Sequence, residues 1–213
     1  MKKTIITLTA VVLFMQIASA QKVQVGLTGG ASVSNFKFES DEDDENGDAK
    51  TGVTFGVLAN IPAGKNFMVQ TGAHWVQKGT KMEESIGGST EKISLVTNWI
   101  EVPVNFLYNS GGFFIGAGPS FSFAVSGKWK LEFDGEKETE DVKFGDSNDD
   151  DDMKGFDLGA NVQTGYRFPN GFLIMANYNQ GLSNLAVSGA DNDKLKSHYF
   201  GIRLGYLLNG KNN

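Results

Sequence analysis

From Val23 onwards, apolar and polar residues alternate along much of the chain. In the clearest example, Phe156 to Phe168, apolar residues recur at every second position except Thr164, with Gly, Asn, Gln and charged residues between them. Successive side chains of a β-strand point to opposite faces, so the pattern predicts strands with one apolar and one polar face. No stretch after Gln21 has apolar residues at helical spacing. The sequence therefore predicts an all-β protein.

Eight segments show this alternation. Their apolar positions run from Val23 to Val33, Val53 to Ile61, Phe67 to Trp75, Ile100 to Tyr108, Phe113 to Val125, Phe156 to Phe168, Phe172 to Tyr178 and Phe200 to Leu208. Short and long connections take turns between them. The short ones are Pro62 to Asn66, Asn109 to Gly112 and Pro169 to Gly171, and the long ones are roughly Glu39 to Lys50, Gly79 to Glu91, Lys130 to Lys154 and Ser188 to Leu195. Up-and-down barrels inserted from the periplasm have this asymmetry, with tight turns on the periplasmic side and long polar loops on the cell surface.

The apolar face carries large aromatic residues, whereas the opposite face is rich in Gly, Ser, Asn and Gln. An eight-stranded barrel has little room inside, so the small polar face is expected in the lumen and the bulky apolar face against lipid. We therefore predict an eight-stranded antiparallel up-and-down transmembrane β-barrel, with the first and eighth strands paired because lipid tolerates no open edge. The alternative is a soluble lipocalin-like ligand-binding barrel or a sandwich, with the apolar face turned inwards.

Aromatic residues are expected to mark both surfaces of the membrane. Those near the short turns predict an inner girdle of Phe67, Tyr108, Phe113, Tyr166, Phe168, Phe172 and Tyr206. Further along the strands, Trp75, Trp99 and Phe123 predict an outer girdle at about the reach of a tilted transmembrane strand.

The first twenty residues have the pattern of a secretory signal peptide. Lys2 and Lys3 precede a largely apolar stretch, and Ala18-Ser19-Ala20 fits a cleavage site, so we expect residues 1–20 to be removed and residues 21–213 to form the barrel domain. Removal of the two lysines changes the formal charge from −6 to −8. The chain has no cysteine and no basic stripe with interleaved aromatic residues, which argues against disulfides and against a nucleic-acid partner.

Five segments together suggest a family. They are Val25 to Phe36, Val69 to Gly79, Trp99 to Val104, Gly116 to Pro119 and Tyr178 to Asn184. With these segments the chain resembles the PorT-type outer-membrane β-barrel family of Gram-negative bacteria. The resemblance implies a location in the cell outer membrane, contact with its lipid and, as in some relatives, a role in protein secretion. The segments are strand and turn features, so they imply no catalytic chemistry.

Four charged residues fall on the predicted lumen face: Glu101, Asp157, Arg167 and Arg203. A buried charge is tolerable when it is paired and hydrogen-bonded, so we expect a structural network among them. Glu101 and Arg203 lie at similar distances from the periplasmic ends of their strands and are expected to approach each other. The alternative for this set is a path for protons or a ligand.

Other candidate sites have weaker support. The acidic runs Glu39 to Asp48 and Asp146 to Asp152 could hold calcium, but their spacing lacks the features of a calcium loop, and solvated loops are the better interpretation. A loop-based enzyme using His198 with Ser197 is a further alternative, although no motif fixes a complete catalytic set. We expect no catalytic, metal or cofactor site. The leading hypothesis is a structural or interaction protein with a filled lumen that displays acidic loops to a surface or secretion-complex protein.

Overall fold

The structure, a computed structural model, describes residues 23–39, 44–86, 89–133, 136–146, 151–187 and 194–208. The predicted signal peptide lies outside these residues. The strands are β1 (Gln24–Glu39), β2 (Asp44–Asn46), β3 (Asp48–Pro62), β4 (Phe67–Ile86), β5 (Ser89–Ser110), β6 (Phe113–Phe133), β7 (Glu136–Asp141), β8 (Phe156–Arg167), β9 (Phe172–Gly181) and β10 (Lys194–Leu207). The described part of the chain contains no helix long and apolar enough to cross a membrane.

Eight long strands form a closed ring. They pair in the order β1, β3, β4, β5, β6, β8, β9 and β10, and β10 returns to pair with β1. All these pairings are antiparallel, and the closing pair runs from Gly26 opposite Leu207 to Glu39 opposite Lys194. The two short strands lie outside the ring, β2 against β1 and β7 against β6. The predicted eight-stranded up-and-down barrel, including its closure, is confirmed.

The apolar face of the strands points outwards. Large apolar side chains such as Phe55, Phe106 and Leu204 are exposed, Leu204 by 62%, while their polar neighbours in sequence are buried. An apolar exterior around a polar interior is the arrangement that lipid requires. The soluble lipocalin-like alternative is therefore wrong, because it needs the apolar face inside.

Aromatic contacts mark the inner girdle. The ring of Phe67 stacks on Phe106 at 5.3 Å, and Phe172 meets Tyr206 edge to face at 5.2 Å. All seven predicted members of this girdle are exposed on the outer surface. At the other end of the barrel, Trp75 stacks on Phe55 at 6.0 Å.

The prediction that Trp99 belongs to the outer aromatic girdle is wrong. Its side chain is 0% exposed and lies inside the barrel. Trp99 precedes Glu101 by two positions in β5, and residues two apart in a strand share a face. The alternation that places Glu101 in the lumen therefore places Trp99 there too, and Ile100 takes the outward position.

Two long connections contain more strand than predicted. Between Gly79 and Glu91, β4 continues to Ile86 and β5 begins at Ser89. The segment from Lys130 to Lys154 contains the end of β6, all of β7 and a bridge between Phe144 and Met153. Outside the lipid both faces of a strand can be polar, so the backbone ladder continues where the apolar alternation has ended.

Candidate functional site in the barrel lumen

The periplasmic end of the lumen is closed by an apolar layer, here called the floor. Its members are Leu58, Met68, Leu107, Phe114, Leu173, Met175 and Leu207. All seven lie on barrel strands. Gly165 makes room for the largest of them, because a Cβ at Gly165 would lie 2.5 Å from Cζ of Phe114. The prediction of a small polar lumen is wrong at this level.

Above the floor, amide side chains from five strands form a continuous chain of hydrogen bonds. Gln70 donates to Asn60 (2.8 Å), Gln163 to Gln70 (2.6 Å), Asn105 to Gln163 (3.4 Å), Asn161 to Asn105 (2.9 Å) and Asn177 to Asn161 (3.2 Å). All six residues are buried. These six residues are here called the amide layer. Each side-chain amide forms a hydrogen bond with at least one neighbour, so the layer spans the barrel as one connected network.

Lys78 lies at the centre of the next layer outwards. Its Nζ is 3.9 Å from Oε2 of Glu101 and 3.9 Å from Oδ2 of Asp157, and it donates to Oγ of Ser197 at 3.4 Å. The same Nζ lies 5.4 Å from the ring centre of Tyr199. One ammonium group therefore faces two carboxylates and an aromatic face, each of which favours its charge.

The two carboxylates have further donors. The hydroxyl of Tyr199 donates to Oε1 of Glu101 at 2.5 Å, and Ser122 donates to Oε2 at 3.3 Å. Ser197 donates to Oδ2 of Asp157 at 2.6 Å. Residues from β4, β5, β6, β8 and β10 thus meet in one buried set, here called the charged layer: Lys78, Glu101, Ser122, Asp157, Ser197 and Tyr199.

The structure places three of the four predicted charges in the lumen. Glu101 and Asp157 lie in the charged layer, and Arg203 donates to Oδ1 of Asn177 in the amide layer at 2.9 Å. The prediction that Glu101 and Arg203 form a direct pair is wrong, because the cation beside Glu101 is Lys78. Arg167 lies at the periplasmic rim, half-buried, and donates to Gln24 at 2.7 Å.

Sequence reasoning missed Lys78 and Tyr199 as members of the charged layer. The alternation of β4 already places Lys78 on the polar face, with Gln70 and His74. Tyr199 lies two positions from Ser197 and therefore shares its inward face. It was missed because aromatic residues were expected to face lipid.

A second apolar layer, here called the lid, covers the charged layer on the extracellular side. Its buried members are Phe36, Leu95, Trp99, Val142, Met153 and Leu185, with Ala124, Trp129, Phe144 and Leu195 packed against them. Several of these residues come from the long connections. The backbone of Val142 donates to the carbonyl of Gly127 at 2.9 Å, which holds one connection over the mouth. Val142, Phe144 and Met153 therefore pack over the mouth, whereas the acidic run Asp146 to Asp152, predicted to be a solvated loop, lies partly outside the described residues.

The sequence matches the family model described as the outer membrane protein beta-barrel domain over residues 16–187. The chain belongs to this family. It is therefore an outer-membrane β-barrel protein, whose exposed apolar face contacts the membrane lipid. No curated protein matches the sequence.

Several solved outer-membrane proteins are similar in fold to this barrel. The attachment invasion locus protein Ail of Yersinia pestis is 14% identical, with 86% of this chain and 99% of that chain covered and a TM-score of 0.40. The outer membrane protease OmpT of Escherichia coli is 10% identical, with 87% and 96% covered and a TM-score of 0.42. OprG of Pseudomonas aeruginosa is 12% identical, with 87% and 95% covered and a TM-score of 0.34. These likenesses carry no argument about function.

The enzyme alternative finds no geometric support in this outer-membrane barrel. Ser197 is buried and donates to Asp157, whereas His198 follows it in the strand and points to the opposite face. Ser197 and His198 therefore cannot act on the same atom. Lys78 and Asp157 do contact Ser197, but the lid separates all three from solvent.

The calcium alternative concerns acidic runs that lie partly outside the described residues. Within residues 23–39, 44–86, 89–133, 136–146, 151–187 and 194–208, no group of three or more His, Cys, Asp or Glu side chains could hold a metal ion.

Proposed function

We propose that the protein is a closed, non-conducting barrel that acts as a structural or interaction protein of the outer membrane. The observation that carries this proposal is the filled lumen. The floor and the lid are two buried apolar layers, with the amide layer and the charged layer between them. An eight-stranded barrel with this filling offers no water-filled path for solutes.

A role as an interaction protein follows from what remains accessible. With the lumen closed, a partner can reach only the membrane-facing surface, the periplasmic turns and the extracellular segments. The extracellular segments are long and acidic, which suits recognition of another surface molecule or of a secretion complex. The resemblance of five segments to the PorT-type family supports the second of these partners.

We propose that the protein has no catalytic activity. The polar groups that could react, Lys78, Asp157 and Ser197, are buried between the amide layer and the lid. Lys78 contacts both Asp157 and Ser197, and Ser197 donates to Asp157, so the three resemble the interior of a protein core more than an open catalytic cleft. A structural role for the charged layer is therefore the better explanation of this arrangement.

Planar-bilayer recording tests the closed lumen. The full chain, refolded and inserted, should give no steady conductance above the empty bilayer, while an open porin in the same chamber serves as the positive control. A variant with residues 136–153 replaced by a short Gly-Ser turn should also be silent, because the floor remains. Large, steady conductance steps from the unaltered protein would overturn the proposal.

A further inference from the structure

The outer parts of β4, β5 and β6 continue beyond the lipid. These strands contain 20, 22 and 21 residues, whereas a tilted transmembrane strand needs only about 9–11. Counted from the periplasmic turns, the lipid-facing positions of the three strands end near Trp75, Ile100 and Val125. The remaining residues, together with β7, form a protruding sheet outside the cell.

The inner face of this sheet, which continues the lumen side of the barrel, carries exposed apolar side chains. Met82 is opposite Ile93, and Ile93 is opposite Leu131, so the three form one row across β4, β5 and β6. They are 38%, 37% and 38% exposed, and Phe133 beside them is 54% exposed. Apolar side chains grouped in this way outside lipid mark an interaction site.

A row of acidic residues on β7 borders the apolar row on the same face. Glu140 is opposite Trp129, Glu138 is opposite Leu131 and Glu136 is opposite Phe133. The three carboxylates are exposed, and none forms an ion pair within the described part of the chain. The apolar–acidic face is defined here by Met82, Ile93, Leu131, Phe133, Glu136, Glu138 and Glu140.

The outer face of the same hairpin is different. There Lys128 pairs with Asp141 at 3.0 Å, and Lys137 pairs with Glu132 at 3.5 Å. Acidic residues on the outer face thus have lysines beside them, while those on the inner face stand beside apolar side chains. The two faces share one backbone, so the difference lies in the side chains alone.

This combination selects one kind of occupant. A basic segment would neutralise the acidic row, and its apolar side chains would cover Met82, Ile93, Leu131 and Phe133. A second copy would present the same acidic row, and anionic lipid or polysaccharide would be repelled by it. The formal net charge of −6 adds to the attraction for a cation.

We propose that the apolar–acidic face binds an extracellular polypeptide segment that presents basic and apolar side chains on one face. This inference rests on the proposed function, because it names the class of partner for a barrel that acts by interaction. Residues two apart in an extended segment share a face, so basic and apolar side chains can meet the acidic and apolar rows together when small polar residues separate them in sequence.

Binding of a synthetic peptide with the repeat Lys-Ser-Leu-Ser to the full chain in zwitterionic nanodiscs, measured by fluorescence anisotropy, tests the proposal. Changing Glu136, Glu138 and Glu140 to Gln should weaken binding about tenfold or more, since charge pairs at an interface contribute to both rate and affinity. Changing Leu131 and Phe133 to Ser should also weaken it. The matched control, Glu132→Gln with Asp141→Asn on the outer face of the same hairpin, should leave binding within about twofold.

A peptide with the repeat Glu-Ser-Leu-Ser should not bind, which separates recognition from simple adhesion to the nanodisc. Equal binding to the inner-face and outer-face variants, or no binding to the unaltered protein, would overturn the proposal. Heat-modifiable gel mobility verifies that each variant is folded. A silent bilayer without peptide binding would refute this inference alone, whereas a conducting barrel that binds the peptide would refute the proposed closed lumen alone.

Discussion

The floor and the lid close the same lumen but are built differently. All seven floor residues lie on barrel strands, so the floor exists wherever the ring of strands exists. The lid takes Val142, Phe144, Met153 and Leu185 from the connections between strands, and backbone hydrogen bonds such as those of Val142 to Gly127 and Lys154 to Leu185, both 2.9 Å, hold these segments over the mouth. The periplasmic closure is thus part of the barrel, and we expect the extracellular closure to change more readily than the barrel itself unfolds.

The charged layer lies between these two closures and depends on both to exclude water. Replacing Lys78 with Ala should have the largest effect on stability, because Glu101 and Asp157 would stay buried without their cation. We expect the free energy of unfolding to fall by about 4 kcal/mol. Urea unfolding in detergent micelles, followed by tryptophan fluorescence and gel mobility, measures it.

The exposed pair Lys128–Asp141 provides the control, since Lys128→Ala should cost less than about 1 kcal/mol. A second variant tests the cause. Adding Glu101→Gln and Asp157→Asn to Lys78→Ala removes the unpaired charges and should restore part of the loss. Equal free energies of unfolding for Lys78→Ala and the unaltered protein would show that the charged layer does not stabilise the barrel.

The fold could be predicted because lipid imposes one simple rule on every strand. Every second residue of a strand faces lipid and must be apolar there. The strands, their number and their closure therefore follow from period-two patterns and turn lengths. Interior positions obey no such rule, because a filled lumen can be polar or apolar. Trp99 was misplaced for this reason, although its spacing from Glu101 gave the correct face.

The floor also left a signal in the sequence that alternation alone does not use. Near the periplasmic turns the strands contain unbroken apolar runs, such as Phe106-Leu107-Tyr108 and Phe113-Phe114-Ile115. Strands buried on both faces have such runs. The lid left no comparable pattern, since four of its residues, Val142, Phe144, Met153 and Leu185, come from connections whose path over the mouth depends on tertiary contacts.

A matched pair of phenylalanines compares the two closures directly. Phe114→Ala in the floor should lower the free energy of unfolding by about 3 kcal/mol, as expected for a large cavity that rigid strands cannot fill. Phe144→Ala in the lid, which removes an edge-to-face contact with Trp99 at 5.9 Å, should cost only about 1 kcal/mol because a connection can adjust. Urea unfolding of both variants measures the difference, and equal losses would show that the lid is as rigid as the floor.

The smallest expected effect on global stability is that of a substitution at Gly127, beside the lid, which we compare with Gly165 beside the floor. At Gly165 a Cβ would meet the backbone oxygen of Ile174 at 2.4 Å, so Gly165→Ala must strain the ring of strands and should lower the free energy of unfolding by about 1–3 kcal/mol.

At Gly127 a Cβ would lie 2.9 Å from Cβ of Val142, a side chain of the lid. The connection can move away, so Gly127→Ala should change global stability by less than about 0.5 kcal/mol while releasing the amide of Val142 from its bond to Gly127. Hydrogen exchange at Val142 should then accelerate with floor amides unchanged, and faster exchange in both layers would mean that the lid cannot open separately from the barrel.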